Sequence, residues 1–331
     1  MEKRDTQKIF IVAPASFITG GVELCHQLGD VLNQQTKRAW MLYFPFGDAA
    51  EVPEPYQRYN VTPGVFDDVD DASIIVMPEV FVGIISTFRK CQIFLWWLSV
   101  DNFLDRARRT RTGKVFGRSL GEYVLVRRLR KANIRHLYQS EYARQYLRAA
   151  RLEPADRLSD YLADEYDPSN VAATGEPREV LITYNPAKGI GRTKSILAAL
   201  ESDGFAAPRT VALEGMTRGE IRALLSSAML YIDFGRHPGK DRIPREAVAL
   251  GACLVVNRRG SARNSVDIPI PDAYKIDDTR NGFEVVAARK IRRVIQNFPA
   301  EQSAFESYRK IIANERARFI SDVGSIFTPE P

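Results

Sequence analysis

Cysteine and histidine are scarce in this chain: three of each in 331 residues. Cys25, Cys91 and Cys253 are odd in number, far apart and set in apolar or helical contexts. That excludes a disulfide framework and a zinc-ligand spacing, and it fits small core residues in a reducing compartment. No window approaches the roughly 20 consecutive apolar residues that cross a bilayer. The apolar run Ile9-Phe-Ile-Val-Ala13 is too short for a signal-peptide core and carries no cleavage pattern, so the expected location is cytoplasmic. Heptads, internal repeats and low-complexity tracts are absent. So are the dinucleotide fingerprint G-x-G-x-x-G and the Walker A spacing. No Asp-x-Asp pair stands on a strand-end loop to hold a catalytic cation; Asp67-Asp68 and Asp70-Asp71 lie in an acidic turn. The expected site therefore holds no metal and no cofactor.

What remains is the composition of a folded α/β protein, with 45% hydrophobic and 27% charged residues. The net charge of +6 is unevenly spread. From Arg106 to Arg135 the chain is densely basic, opposed only by Asp105 and Glu122 around it. Val115, Phe116, Leu120, Tyr123, Val124, Val126 and Leu129 interleave those charges. Such a segment is either a solvated helix face or a basic amphipathic surface for anionic lipid headgroups over residues 106–135. Nucleic acid is disfavoured as its partner, because zinc-finger spacing, aromatic RNA-binding strands and a following zipper are all missing.

Apolar runs alternate with helical patterns along the whole chain. Strands are expected at Ile9–Ala13, Trp40–Phe44, Ser73–Met77, Ile93–Leu98 and His136–Gln139. After a stretch rich in Pro, Gly and polar residues they resume at Val180–Tyr184, Thr210–Leu213, Met229–Asp233 and Cys253–Asn257. Thr217 followed by Glu220 is a capping box that starts a helix. The pattern predicts two Rossmann-like, doubly wound parallel sheets facing a central cleft. The expected divisions are a first Rossmann-like domain over 1–172, a second over 173–303, and a C-terminal helix, 304–331, packing back toward the first domain. Phe305, Tyr308, Ile312, Phe319 and Val323 supply that segment's apolar face.

Ligands of open parallel sheets bind beyond the carboxyl ends of the strands, which makes the residues after each strand the candidates. After the first strand, Gly20 and Gly21 permit close backbone approach before a helix N-terminus, or simply make a tight turn. After Phe94-Leu-Trp-Trp-Leu98, the polar Ser99-Val-Asp101-Asn102 puts a carboxylate at a strand mouth. Asp101 is a candidate general base or acceptor ligand, with helix capping as the alternative. Pro78-Glu79 reads as a turn and Ser140-Glu141 as a helix cap. His26, inside a helix, and His136, at a strand, are read as structural. In Asn185-Pro-Ala-Lys188-Gly189-Ile-Gly-Arg192 the cations suit a diphosphate at a helix N-terminus, although a basic turn would look the same. Asp233-Phe-Gly-Arg236-His237-Pro-Gly-Lys240 is a further basic loop after a strand.

The most informative run follows. Pro244 suits a helix start and Gly251 a left-handed helix end, ahead of the apolar strand from Cys253. Glu246 then falls in the first turn, where a carboxylate either favours the positive helix end or accepts hydrogen bonds from a ribose. This run resembles the donor-binding segment of GT-B glycosyltransferases, especially the large retaining family with two glutamates separated by seven residues. Glu246 matches the second glutamate; Pro238 stands in place of the first. Gly20 and Gly21 match that family's Gly-Gly loop, and Lys188-Gly189 the lysine part of its basic pair. The resemblance implies a glycosyltransferase that carries sugar from a UDP- or GDP-linked donor to a glycan or lipid-linked acceptor, of the kind used in bacterial-type surface polysaccharide synthesis. Taken with the strand-end candidates, it gives Lys188, Glu246 and Asp101, which stands where that family often has a histidine, as the expected catalytic residues, with Gly20, Gly21, Asn185, Lys188, Arg192, Arg236, His237, Lys240 and Glu246 around the donor. The loss of the first glutamate keeps a second reading open, a non-catalytic nucleotide- or glycan-binding subunit of an assembly.

Overall fold

The computed structural model describes residues 7–15, 17–35, 38–47, 51–168, 178–202 and 208–327. They form two compact units, one of residues 1–160 with 317–331, the other of residues 161–316. The expected division at 172/173 lies outside the described residues. Leu162, Ala163 and Tyr166 already belong to the core of the second unit.

The first unit is built on a parallel sheet of seven strands in the order β3-β2-β1-β4-β5-β6-β7. These are β1 (Ile9–Pro14), β2 (Ala39–Phe44), β3 (Thr62–Pro63), β4 (Ile74–Pro78), β5 (Gln92–Trp97), β6 (Ile134–Tyr138) and β7 (Ala155–Arg157). Its helices are α1 (Gly20–Gln35), α2 (Val100–Arg109), α3 (Arg111–Phe116), α4 (Arg118–Lys131) and α5 (Glu141–Ala149). The central strands are buried on both faces, as continuous apolar runs such as Ile93-Phe-Leu-Trp-Trp97 require. The order reverses between β1 and β4, so the loops leaving those two strands diverge and open a crevice.

The second unit repeats the principle with five strands in the order β12-β11-β10-β8-β9. They are β8 (Glu179–Tyr184), β9 (Arg209–Ala212), β10 (Ala228–Asp233), β11 (Cys253–Asn257) and β12 (Lys275–Ile276). Here the reversal falls between β8 and β10. The helices are α6 (Ile190–Ser202), α7 (Arg218–Ser227), α8 (Arg242–Ala249), α9 (Phe283–Gln296), α10 (Phe298–Ser303) and α11 (Glu306–Ala313). The capping box at the start of α7 is formed, with Thr217 and Glu220 each bonding the other's backbone.

The expected C-terminal apolar face is shared between two cores. Phe305, Tyr308 and Ile312 are buried in the second unit. The last helix, α12 (Glu315–Phe327), belongs from Ala317 onward to the first. There Phe319 stacks on Trp96 and Phe327 on Phe94. Asp322 takes a two-pronged bond from Arg157 and another, at 3.0 Å, from the amide of Ser159. One apolar period covers the segment, but breaks after α10 and α11 divide it.

Gly251 ends α8 as expected, with φ +91°. The amides of Gly251 and Ala252 return to the carbonyls of Val248 and Ala247. A β-carbon at Gly251 would stand 2.4 Å from the Arg178 guanidinium, which donates to the carbonyls of Leu250 and Ala228. Gly251→Ala should therefore destabilise the second unit by about 1–3 kcal/mol through left-handed strain and displacement of Arg178. Urea denaturation followed by tryptophan-independent far-UV signal measures it; an unchanged midpoint would refute the constraint.

Candidate functional site

A dense cluster of polar side chains lies at the β8/β10 reversal. The loop after β8 turns through an Asx turn, in which Asn185 Oδ1 accepts from the amide of Ala187 at 3.0 Å. Gly189 follows with φ +67°, and a β-carbon there would meet the carbonyl oxygen of Phe234 at 2.2 Å. Only glycine lets the β8 loop lie this close to the β10 loop. The consequence is that Lys188 and the groups after Asp233 share one small volume.

In that volume Lys188 Nζ lies 3.0 Å from Asp241 Oδ2. The same oxygen accepts from His237 Nδ1 at 3.1 Å. His237 Nε2 is 3.9 Å from Asp233 Oδ1 and has no hydrogen-bond partner. Asp233 is held in turn by Tyr231 and by the amide of Gly235. Burial works to lower the His237 pKa, but Asp233 and the bond to Asp241 outweigh it and hold the imidazole above its ordinary value. Burial likewise works to raise Asp241, yet His237 and Lys188 keep it below the usual carboxylate range. Asp233, which lacks so close a cation, is pushed up by burial. One ligand atom from each of Asp233, His237 and Asp241 lies within 4.8 Å of the others. Among these groups the Lys188 ammonium supplies positive charge directly.

A second ion cluster flanks the first. Asp278 is buried and receives Arg192 Nε at 2.8 Å, Arg259 Nε at 2.8 Å and Asn257 Nδ2 at 3.0 Å. Asn257, the last residue of β11, also donates to the carbonyl of Gly235 and so ties the β11 mouth to the β10 mouth. Arg192 and Lys188 remain partly exposed, at 40% and 32% of their side chains. Arg236 is exposed.

Three expectations are corrected here. The α8 helix begins at Arg242 rather than Pro244, because proline is tolerated anywhere in a first turn whose amides have no intrahelical partner. Glu246 consequently lies in the second turn, nearly buried, with Oε1 3.0 Å from Arg242 Nη2. Lys240 is committed elsewhere: its ammonium lies 2.7 Å from Glu315, which also takes Arg245 at 2.7 Å. His237 is fully buried and acts on its neighbours rather than as an open ligand.

At the mouth of the first sheet, Gly20 and Gly21 are the opening residues of α1 and not a loop before it. A β-carbon at Gly21 would make ordinary contact with Leu98 at 3.6 Å, so no close approach demands glycine there. Asp101 sits in the first turn of α2, where Ser99 and not Asp101 is the cap, accepting from the amide of Asn102 at 3.1 Å. Asp101 Oδ1 accepts from the Tyr142 hydroxyl at 2.9 Å. His26 and His136 are structural as expected: His26 bonds Val22 and Tyr43, and Trp97 donates to His136.

Sequence reasoning passed over Glu79, Asp241, Asn257, Arg259 and Asp278. Asn257 and Arg259 follow a strand, so the strand-end rule reaches them; Asp278 has no local signal. Glu79, read as part of a turn, is buried at the β4 mouth and accepts from the amide of Leu98 at 2.9 Å. Burial pushes its carboxyl up to about 7 against those backbone bonds. A raised pKa means that its stabilising contribution is complete below about 4.5 and is lost as pH rises through about 7. Glu79→Gln should be more stable than wild type at pH 8 by about 2–3 kcal/mol and equal to it near pH 4.5. Urea titrations at the two pH values check this, and a variant weaker at pH 8 would show that the ionised form is the one the fold favours.

No protein-family model and no curated protein matches this sequence. Solved structures do. A sucrose-phosphate synthase from Thermosynechococcus elongatus aligns with a TM-score of 0.63 at 12% identity, over 97% of this chain and 98% of that one. HepE of Anabaena, in complex with UDP and glucose, gives 0.68 at 12% over 98% and 100%. TarM of S. aureus, in a complex that includes UDP, gives 0.56 at 12% over 78% and 56%. The likeness establishes the fold: two parallel α/β sheets of the GT-B type.

Proposed function

We propose that this chain is a glycosyltransferase that moves a hexose-like sugar from a UDP- or GDP-linked donor to a glycan or lipid-linked acceptor in surface polysaccharide or glycoconjugate synthesis. The observation that carries the reading is the cationic mouth at the β8/β10 reversal of a GT-B fold, where Lys188 and Arg192 are both partly exposed. In the transfer, the bond from the anomeric carbon to the β-phosphate oxygen breaks and its electron pair leaves with the diphosphate. The acceptor hydroxyl oxygen forms the new bond to that carbon and gives up its proton. Negative charge grows on the diphosphate, and Lys188 and Arg192 are the groups that stabilise it, with Asn185 and Arg236 beside them. These cations do the work that a divalent metal would do. Glu246 takes the ribose hydroxyls. Asp101, oriented through Oδ1 by Tyr142, is the proposed base for the acceptor proton, and the backbone at Gly20 and Gly21 lines the same mouth of the first sheet.

A peripheral membrane role is part of the proposal. Within the basic stretch, Val126 and Leu129 are buried, whereas Val115, Phe116, Leu120 and Tyr123 are exposed. Exposed Arg111, Lys114, Arg118 and Arg127 accompany them. Apolar side chains among cations on α3 and α4 suit an anionic lipid surface. No described helix is long and apolar enough to cross a membrane. Vesicles of phosphatidylglycerol should sediment the protein at low salt and release it at high salt, with Phe116→Ser and Lys114→Glu together weakening capture about tenfold. Equal capture by neutral phosphatidylcholine would remove the electrostatic part of the reading.

Incubation with a panel of nucleotide sugars and acceptors tests the activity. Released nucleoside diphosphate should persist in EDTA and fall by about 100-fold or more in Lys188→Ala and Glu246→Ala. Pro238, in place of the first glutamate of the resembling family, favours one rival, a non-catalytic subunit. Tight nucleotide binding with no turnover on any acceptor would support that rival.

A further inference from the structure

We propose that Asp241 is a resident counter-ion for Lys188, one that occupies the lysine until a nucleoside diphosphate arrives and then yields it, remaining paired with His237. This rests on the reading of Lys188 as a diphosphate ligand. Asp241 occupies the N-cap position of α8, where an aspartate ordinarily accepts from the free amides of the first turn. Its side chain makes no such bond. Instead, one oxygen, Oδ2, takes both Lys188 Nζ at 3.0 Å and His237 Nδ1 at 3.1 Å. An aspartate that forgoes its cap for a cation must gain from that cation's charge.

The second partner is what lets the first one leave. His237 is fully buried, with Asp233 on its far side at 3.9 Å. Those two carboxylates hold its proton against burial. When Lys188 turns to phosphate, Asp241 keeps its bond to His237 and is not left as an unpaired, largely buried charge, which would be costly. Asp241 therefore acts as a positioning residue: it fixes the lysine at the mouth of β8 and sets how much a ligand must offer to claim it. A single weak anion competes poorly with this carboxylate, whereas a diphosphate, with more charge and more acceptor oxygens, competes well.

The test is calorimetric titration of UDP and GDP into wild type, Asp241→Asn, Lys188→Gln and the double variant. Asp241→Asn keeps the size and an acceptor for His237 but removes the charge, so the better-binding nucleotide should bind about 3- to 10-fold tighter. In the Lys188→Gln background the same change should have no effect, because there is no cation to release. Asp241→Ser removes the charge and supplies a good cap for α8, so it serves if the asparagine variant folds poorly, with the same gain expected. Weaker or unchanged binding in both Asp241 variants, while Lys188→Gln loses affinity, would overturn this inference alone. Wild-type binding unaffected by Lys188→Gln, or no binding of either nucleotide, would remove the reading beneath it.

Discussion

The β8/β10 mouth depends on the close passage of two backbones, and Gly189 permits it. With its left-handed turn against the carbonyl of Phe234, Lys188 is delivered to the carboxylate of Asp241. Around that pair the rest of the site follows as charge balance. His237 shares the Asp241 oxygen with Lys188 and faces Asp233 at 3.9 Å, and Asn257, anchored on Gly235 and Asp278, brings the β11 loop to the same place. Like charges gathered at the open end of a parallel sheet repel unless counter-ions are built in. Asp241 and Asp278 are those counter-ions.

The two units use the same topology for different chemistry. At the first reversal the strand ends are knitted by backbone and short side-chain bonds: Glu79 to Leu98, Ser99 to Asn102, Tyr142 to Asp101. The described cations there, such as Arg106 and Arg109, stand on α2. At the second reversal the strand-end loops themselves carry the cations. Lys188 and Arg192 stay partly exposed there, each on one carboxylate, whereas Lys240 and Arg245 are tied to the buried Glu315.

Much of the architecture was legible because parallel strands buried on both faces must be apolar throughout. Ile9–Pro14, Gln92–Trp97 and Cys253–Asn257 could be little else. The very short strands, Thr62–Pro63, Ala155–Arg157 and Lys275–Ile276, were not legible, since two or three edge residues leave no period to read. Thr217 with Glu220, and Gly251, were readable because each encodes a backbone geometry within a few residues. Pro244 misled as a helix start because the rule it follows covers the whole first turn and not one position.

Sequence alone determined where strands end, and hence that Lys188, Asp233 and Asn257 lie at carboxyl ends of one sheet. It could not determine which cation meets which anion. Lys188 and Lys240 are alike as residues, each beside a glycine in a polar loop after a strand, yet one is held near solvent by Asp241 and the other, less exposed, is tied to the buried Glu315. Asp278 reaches Arg192 and Arg259 from a distant part of the chain. Local structure depends on neighbours in the chain, whereas the energy of an ion pair depends on separation in space and on burial, and only the tertiary fold sets those.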